Sequence, residues 1–171
     1  QIQTKREGYQ SGIPPYDAFN QKKRHRGYSP HFGQEHSPNR RAPGMGIGSG
    51  FLISADGLIV TNAHVIAEAD TISVKFSNSQ TKKAKLIGLD KSSDLAVLKV
   101  EGSDLPHIEF GDSNAIRIGD SVLAIGSPFG LTGTATSGII SAKGRDLKMG
   151  RYDNFLQIDA PINSGNSGGP V

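Results

Sequence analysis

Apolar residues in this chain come in short runs, and each run is cut by glycine, aspartate, asparagine or serine before it could fill several helical turns. Phe51-Leu52-Ile53-Ser54 and Leu58-Ile59-Val60-Thr61 flank Ala55-Asp56-Gly57. Two β-branched runs around an Asp-Gly turn predict a hairpin. Ile72, Val74 and Phe76 then alternate with polar residues over 71–76, the period of a half-buried strand. Further strands are predicted at 84–88, 95–100, 121–125, 134–141 and 155–158, each bounded by turn residues such as Gly111-Asp112-Ser113-Asn114. Only the residues just after Ala63 suggest a helical turn or two. The 22 glycines and the absence of tryptophan suit such a chain. The prediction is therefore an all-β barrel or sandwich. If two barrels share the chain, their connection falls near 102–115.

Charge divides the sequence unevenly. Residues 1–44 carry eight Lys/Arg against Glu7, Asp17 and Glu35, whereas 45–171 hold eleven basic and thirteen acidic side chains. The basic character thus comes from the leading segment, and the body needs no nucleic acid or other polyanion as partner. Residues 1–5 read as the end of a first strand. Over 6–44, Gly, Pro, Ser, Gln, Asn and His replace any apolar period, which predicts a flexible basic loop or linker. His25, His31 and His36 lie there at spacings that match no usual metal-ligand pair, and no metal or other cofactor is expected. No cysteine is present, so no disulfide holds the fold, and no apolar run is long enough to span a bilayer. No signal peptide is visible in the sequence.

Chemistry concentrates at Gly165-Asn166-Ser167-Gly168-Gly169-Pro170-Val171. Glycines strip away bulk around the serine and permit positive φ. Successive N–H groups can then converge into an anion-binding nest. A hydroxyl beside such a nest is what acyl transfer requires: a nucleophile, and donors for the oxygen that becomes negative after attack. A Gly-x-Ser-x-Gly pattern also fits the nucleophile elbow of α/β-hydrolases, in which the histidine follows the serine. Here the last histidine is His107, so the elbow does not fit, and a histidine and an aspartate lying upstream give the order His…Asp…Ser found in chymotrypsin-like proteases. Thr61-Asn62-Ala63-His64 places a histidine where a strand gives way to a turn. Ser92-Ser93-Asp94 places an aspartate directly before an apolar strand that would hold it rigid, which favours Asp94 over its rival Asp90. Ser167 is the candidate nucleophile, His64 the base and Asp94 its orienting partner. The oxyanion donors would be the N–H groups of Gly165 and Ser167, with Asn166 a third candidate.

Five stretches stand in order: Gly48-Ser49-Gly50-Phe51, Thr61-Asn62-Ala63-His64-Val65, Ser93-Asp94-Leu95-Ala96, Ala124-Ile125-Gly126-Ser127-Pro128-Phe129-Gly130 and Gly165-Asn166-Ser167-Gly168-Gly169-Pro170. Together they resemble the protease domain of the bacterial HtrA family, the Do-like serine endopeptidases DegP, DegQ and DegS. The resemblance implies a chymotrypsin-like double β-barrel, with a first barrel over 45–101, a connection over 102–115 and a second barrel over 116–171 that stops short. It also implies a protease domain fragment of a homotrimer that cleaves unfolded or misfolded polypeptides in the periplasm or cell envelope. By the same resemblance, residues 6–44 match a variable first-barrel loop. Ile162 matches a substrate-binding position in a pocket for small aliphatic side chains, and 144–154 matches a loop that helps switch the site on. The alternative is a chaperone-like module that holds unfolded chains without cutting them.

Overall fold

The computed structural model describes residues 1–6, 44–127, 133–145 and 154–171. Most of the expected linker over 6–44, with its three histidines and basic run, lies outside the described residues. So do 128–132 and most of the 144–154 loop.

Ten strands and one short 3₁₀ turn make up the described chain. They are β1 (Ile2–Arg6), β2 (Gly44–Gly48), β3 (Phe51–Leu52), β4 (Leu58–Asn62), the 3₁₀ turn Ala63–Ile66, β5 (Thr71–Lys75), β6 (Thr81–Asp90), β7 (Leu95–Val100), β8 (Ser121–Gly126), β9 (Thr134–Arg145) and β10 (Phe155–Ile158). Seven of them form one sheet in the order β2-β1-β5-β6-β7-β4-β3. A flat sheet of seven strands would separate its edges by about 29 Å, at roughly 4.8 Å per strand. Here the two edge strands are joined by Ser49 and Gly50 alone, a link that can reach only about 11 Å. The sheet must curl until its edges meet, and the result is a small barrel.

Period-2 patterning fills the barrel. Ala96, Leu98 and Val100 alternate inward along β7, Ile59 and Thr61 along β4, Ile72 and Val74 along β5, and Ile2 and Thr4 along β1. Val65 and Ile66 of the 3₁₀ turn complete the same core. Burying each large aliphatic side chain contributes about 1.5–3 kcal/mol. The two interior threonines are satisfied, since Thr4 Oγ1 accepts the Gly46 N–H at 3.1 Å and the Thr61 hydroxyl donates to Ser49 O at 2.7 Å.

The second sheet is a three-stranded antiparallel meander, β10-β9-β8. Leu123, Ile139 and Phe155 are exposed on it, and its buried residues include Ala124 and Ile140. Register shifts between β10 and β9 mark a bulge that bends the meander.

Two differences from the sequence reading have a physical cause. The strand β2, Gly-Met-Gly-Ile-Gly, was not expected, because glycine weakens strands. It forms on the outer edge of β1, and Gly46 carries no Cβ because the Thr4 side chain occupies that space. The strands β6 and β9 run several residues longer than their apolar stretches, since pairing with neighbours on both sides carries polar residues into the ladder.

Candidate active site

Asn62, the last residue of β4, pairs with Leu95, the first residue of β7. This register sets the 3₁₀ turn after β4 beside the hairpin turn before β7, although the two are about 30 residues apart in sequence. Within the turn, Ala63, Val65 and Ile66 are buried. They pin it to the core and leave His64 facing outward.

Asp94 receives it. Asp94 Oδ2 lies 2.6 Å from His64 Nδ1, and Oδ1 accepts the His64 main-chain N–H at 2.9 Å. The aspartate backbone is itself held, because its carbonyl accepts Ala63 N–H at 3.0 Å and Asn62 Nδ2 at 2.9 Å. Asp94 sits at φ 54°, a left-handed conformation that aspartate tolerates better than most residues. Asp90 does something else. Its Oδ1 accepts from the Ser92 N–H and hydroxyl, and its Oδ2 from the Ser93 hydroxyl. The Ser92 side-chain hydrogen bond is the main reason its carboxyl lies below the usual carboxylate range. Asp90 builds the turn, while Asp94 faces the histidine.

The Ser167 loop is shaped by two glycines in left-handed conformations, Gly165 at φ 101° and Gly168 at φ 84°. Asn166 N–H donates to Asn163 O at 3.0 Å, and Gly169 N–H donates to Asn166 O at 2.8 Å. The Asn166 N–H is therefore committed inside the loop. Among the described residues, neither the Gly165 nor the Ser167 N–H donates a hydrogen bond; Gly165 is buried and Ser167 half-buried. The Asn166 side chain is buried against Gly126, and its Oδ1 has no hydrogen-bond partner among the described residues. The position just before the serine thus carries a neutral amide in a place where a carboxylate would be costly to bury.

The loop rests on the end of β4. A Cβ on Gly168 would run into Ser49 O and Thr61 Oγ1 and would approach Asn62 N to 3.0 Å. Ser167 therefore lies against the strand that carries His64 two residues further on. Among the described residues, no hydrogen bond joins the Ser167 hydroxyl to the imidazole. His64 and Asp94 are partly open to solvent, at 58% and 45% of their side-chain surface. Ile162, five residues before the serine, is exposed.

Ser49 is the residue that reading for chemistry overlooked. It is buried and bonds to the backbone on both sides of Asn166. Its sequence signal was the Gly48-Ser49-Gly50-Phe51 stretch, a small hydroxyl side chain between two glycines.

Residues 48–171 match the trypsin-like peptidase domain family. Among curated relatives, a DegP-like periplasmic serine endoprotease of Rickettsia conorii is 57% identical over 130 residues, covering 73% of this chain and 26% of the relative. The corresponding protein of Ectopseudomonas mendocina is 52% identical over 132 residues, covering 77% of this chain and 28% of the relative. The chain thus spans little more than a quarter of the length of these relatives. Among solved structures, the HtrA-type protease AlgW with a tripeptide superposes at a TM-score of 0.70 and 48% identity, covering 73% of this chain and 42% of that one. AlgW with a decapeptide gives a TM-score of 0.73 at 40% identity, covering 98% of this chain and 50% of that one. The chain thus belongs to the trypsin-like peptidase family, in its HtrA branch.

Proposed function

We propose that this chain is the catalytic part of a serine endopeptidase working through an acyl-enzyme. Ser167 Oγ attacks the scissile carbonyl. His64 removes the hydroxyl proton through its outward nitrogen and later delivers it to the leaving amine. Asp94 holds the ring in the tautomer with Nδ1 protonated and stabilises the imidazolium. Gly165 and Ser167 N–H receive the oxyanion, and each such donor is worth about 3 kcal/mol in the transition state. The observation that carries this reading is the two-point grip of Asp94 on His64, made at the end of the strand on which the Ser167 loop rests.

The site's form and its relatives support a reading of the substrate class. His64 and Asp94 are partly open to solvent, Ile162 is exposed, and AlgW is known with bound peptides. Extended, unfolded polypeptides are the fitting substrates, with Ile162 lining a pocket for small aliphatic side chains. A periplasmic or envelope setting and a trimeric assembly complete the proposal. The relatives' naming as periplasmic endoproteases supports the first.

A fluorophosphonate probe on protein expressed from the complete gene tests it. Labelling and casein cleavage should both disappear in Ser167→Ala while binding of unfolded chains persists. Cleavage surviving in that variant would overturn the assignment. Absence of labelling in the parent would favour a holding module that does not cut.

A further inference from the structure

Ser49 occupies the two-residue link that closes the barrel, and only 3% of its surface is exposed. Each of its polar groups is used, on a segment that bears on the site. Its N–H donates to Ser167 O at 2.8 Å. Its hydroxyl donates to Gly165 O at 2.6 Å and accepts the Ser127 N–H at 2.8 Å. Its carbonyl accepts the Thr61 hydroxyl at 2.7 Å, on the strand leading to His64.

Gly165 and Ser167 are the two residues whose N–H groups are proposed to receive the oxyanion, and Ser49 holds the carbonyls of both. Gly165, at φ 101°, has several accessible backbone states at little steric cost. Holding its carbonyl fixes the following peptide plane, and the Asn166 N–H on the other edge of that plane is held in turn by Asn163 O. With that plane fixed, the Gly165 N–H can turn only through rotation about the two backbone bonds at its own Cα. The Ser49 hydroxyl therefore restricts where the Gly165 N–H can point.

We propose that Ser49 is a positioning residue of the nucleophile loop. Its hydroxyl selects the loop conformation in which the Gly165 and Ser167 N–H groups converge, and it couples that conformation to the strand bearing the general base. The proposal rests on reading Ser167 as the nucleophile. Ser49 touches neither substrate nor reacting atoms, so its effect belongs in turnover rather than in substrate binding.

The test uses protein expressed from the complete gene, with active sites counted by fluorophosphonate titration so that unfolded material does not enter the rate. In Ser49→Ala, kcat per titrated site on a small peptide amide should fall roughly tenfold to hundredfold, the scale of a misplaced transition-state donor. KM should stay within about threefold, as expected for an interaction realised in the transition state. Thr4→Val is the control. It removes a part-buried hydrogen bond in the same barrel, to Gly46, and should lower the melting temperature while kcat is retained. Should Ser49→Ala not fold, Ser49→Cys, which keeps a weaker donor, is judged by the same criterion. An unchanged kcat per titrated site in the folded variant would show Ser49 to be structural only and overturn the proposal. Labelling or cleavage that survives in Ser167→Ala would instead overturn the underlying assignment.

Discussion

Asp94 holds His64 at two points, its Oδ2 2.6 Å from the ring Nδ1 and its Oδ1 2.9 Å from the main-chain nitrogen. One contact orients the ring and the other fixes the backbone from which the ring hangs. A carboxylate can accept at both places. An amide in its place must present an N–H to one of them.

Asp94→Asn therefore tests the pair directly. With its oxygen toward the His64 N–H, the amide nitrogen faces Nδ1 and selects the tautomer that cannot act as base toward Ser167. Turnover should fall by about 10⁴-fold, the scale associated with this role. Asp90→Asn should leave kcat/KM near the parental value, because Asp90 binds only its own turn. Steady-state cleavage of a peptide reporter by both variants checks this, and the reverse ranking would reassign the carboxylate.

Asn62 should act through Asp94. Its side chain holds the Asp94 carbonyl and so supports a left-handed backbone that costs about 1–3 kcal/mol for a residue with a side chain. Asn62→Ala is expected to lower stability by about 1 kcal/mol and to lower kcat with little change in KM. A double-mutant cycle with Asp94→Asn should be strongly non-additive, since both changes disturb one unit. Additive losses would show that Asn62 does not work through the aspartate.

The close seating of the serine loop on β4 makes a prediction about glycines. Gly168→Ala puts a Cβ into Ser49 O and Thr61 Oγ1 at a positive φ, and should cost at least about 2 kcal/mol by strain and overpacking. Gly88, in the β6 strand, faces open space, so Gly88→Ala should change stability by only about 0.5 kcal/mol or less. Urea denaturation midpoints of the two variants give the comparison.

Asp120 supplies an acid-dependent element. The Arg117 main-chain N–H, bonded to its Oδ2 at 2.8 Å, is the main cause holding its carboxyl below the usual range. A depressed folded pKa adds stability above the unfolded value near 3.9, and that stability is lost as pH falls through the folded pKa. Asp120→Asn should thus melt lower than the parent at neutral pH, by less than Gly168→Ala does. The difference should close in acid. Thermal melts from pH 7 to pH 2 measure it, and a gap independent of pH would assign the effect to something other than the carboxylate.

Much of this molecule was legible in the sequence because strand patterning is local. Alternation along Ile72 and Val74, or Ala96, Leu98 and Val100, is set by the two-residue period of a strand and needs no partner to be read. The Asp-Gly turn before β4 and the glycine-rich setting of Ser167 are local as well. So is the preference for Asp94, which rested on the rigid apolar strand behind it. The position of Asn166 before the serine was also visible, but not that its N–H is spent on Asn163 while, among the described residues, those of Gly165 and Ser167 donate no hydrogen bond. That distinction depends on loop geometry.

By itself, then, the sequence determined most of the strands, the turns between most of them, and the three side chains proposed for an acyl-transfer site. Tertiary structure alone decided how these meet. The Asn62–Leu95 register brings His64 to Asp94, the Ser49-Gly50 link closes the barrel, and Ser49 bonds to the backbone of a loop more than 100 residues away. A strand advertises which face is apolar through every second residue. Register, barrel closure and backbone-to-backbone approach across glycines instead depend on how distant segments pack, and the hydrogen bonds that define them use main-chain atoms that every residue shares.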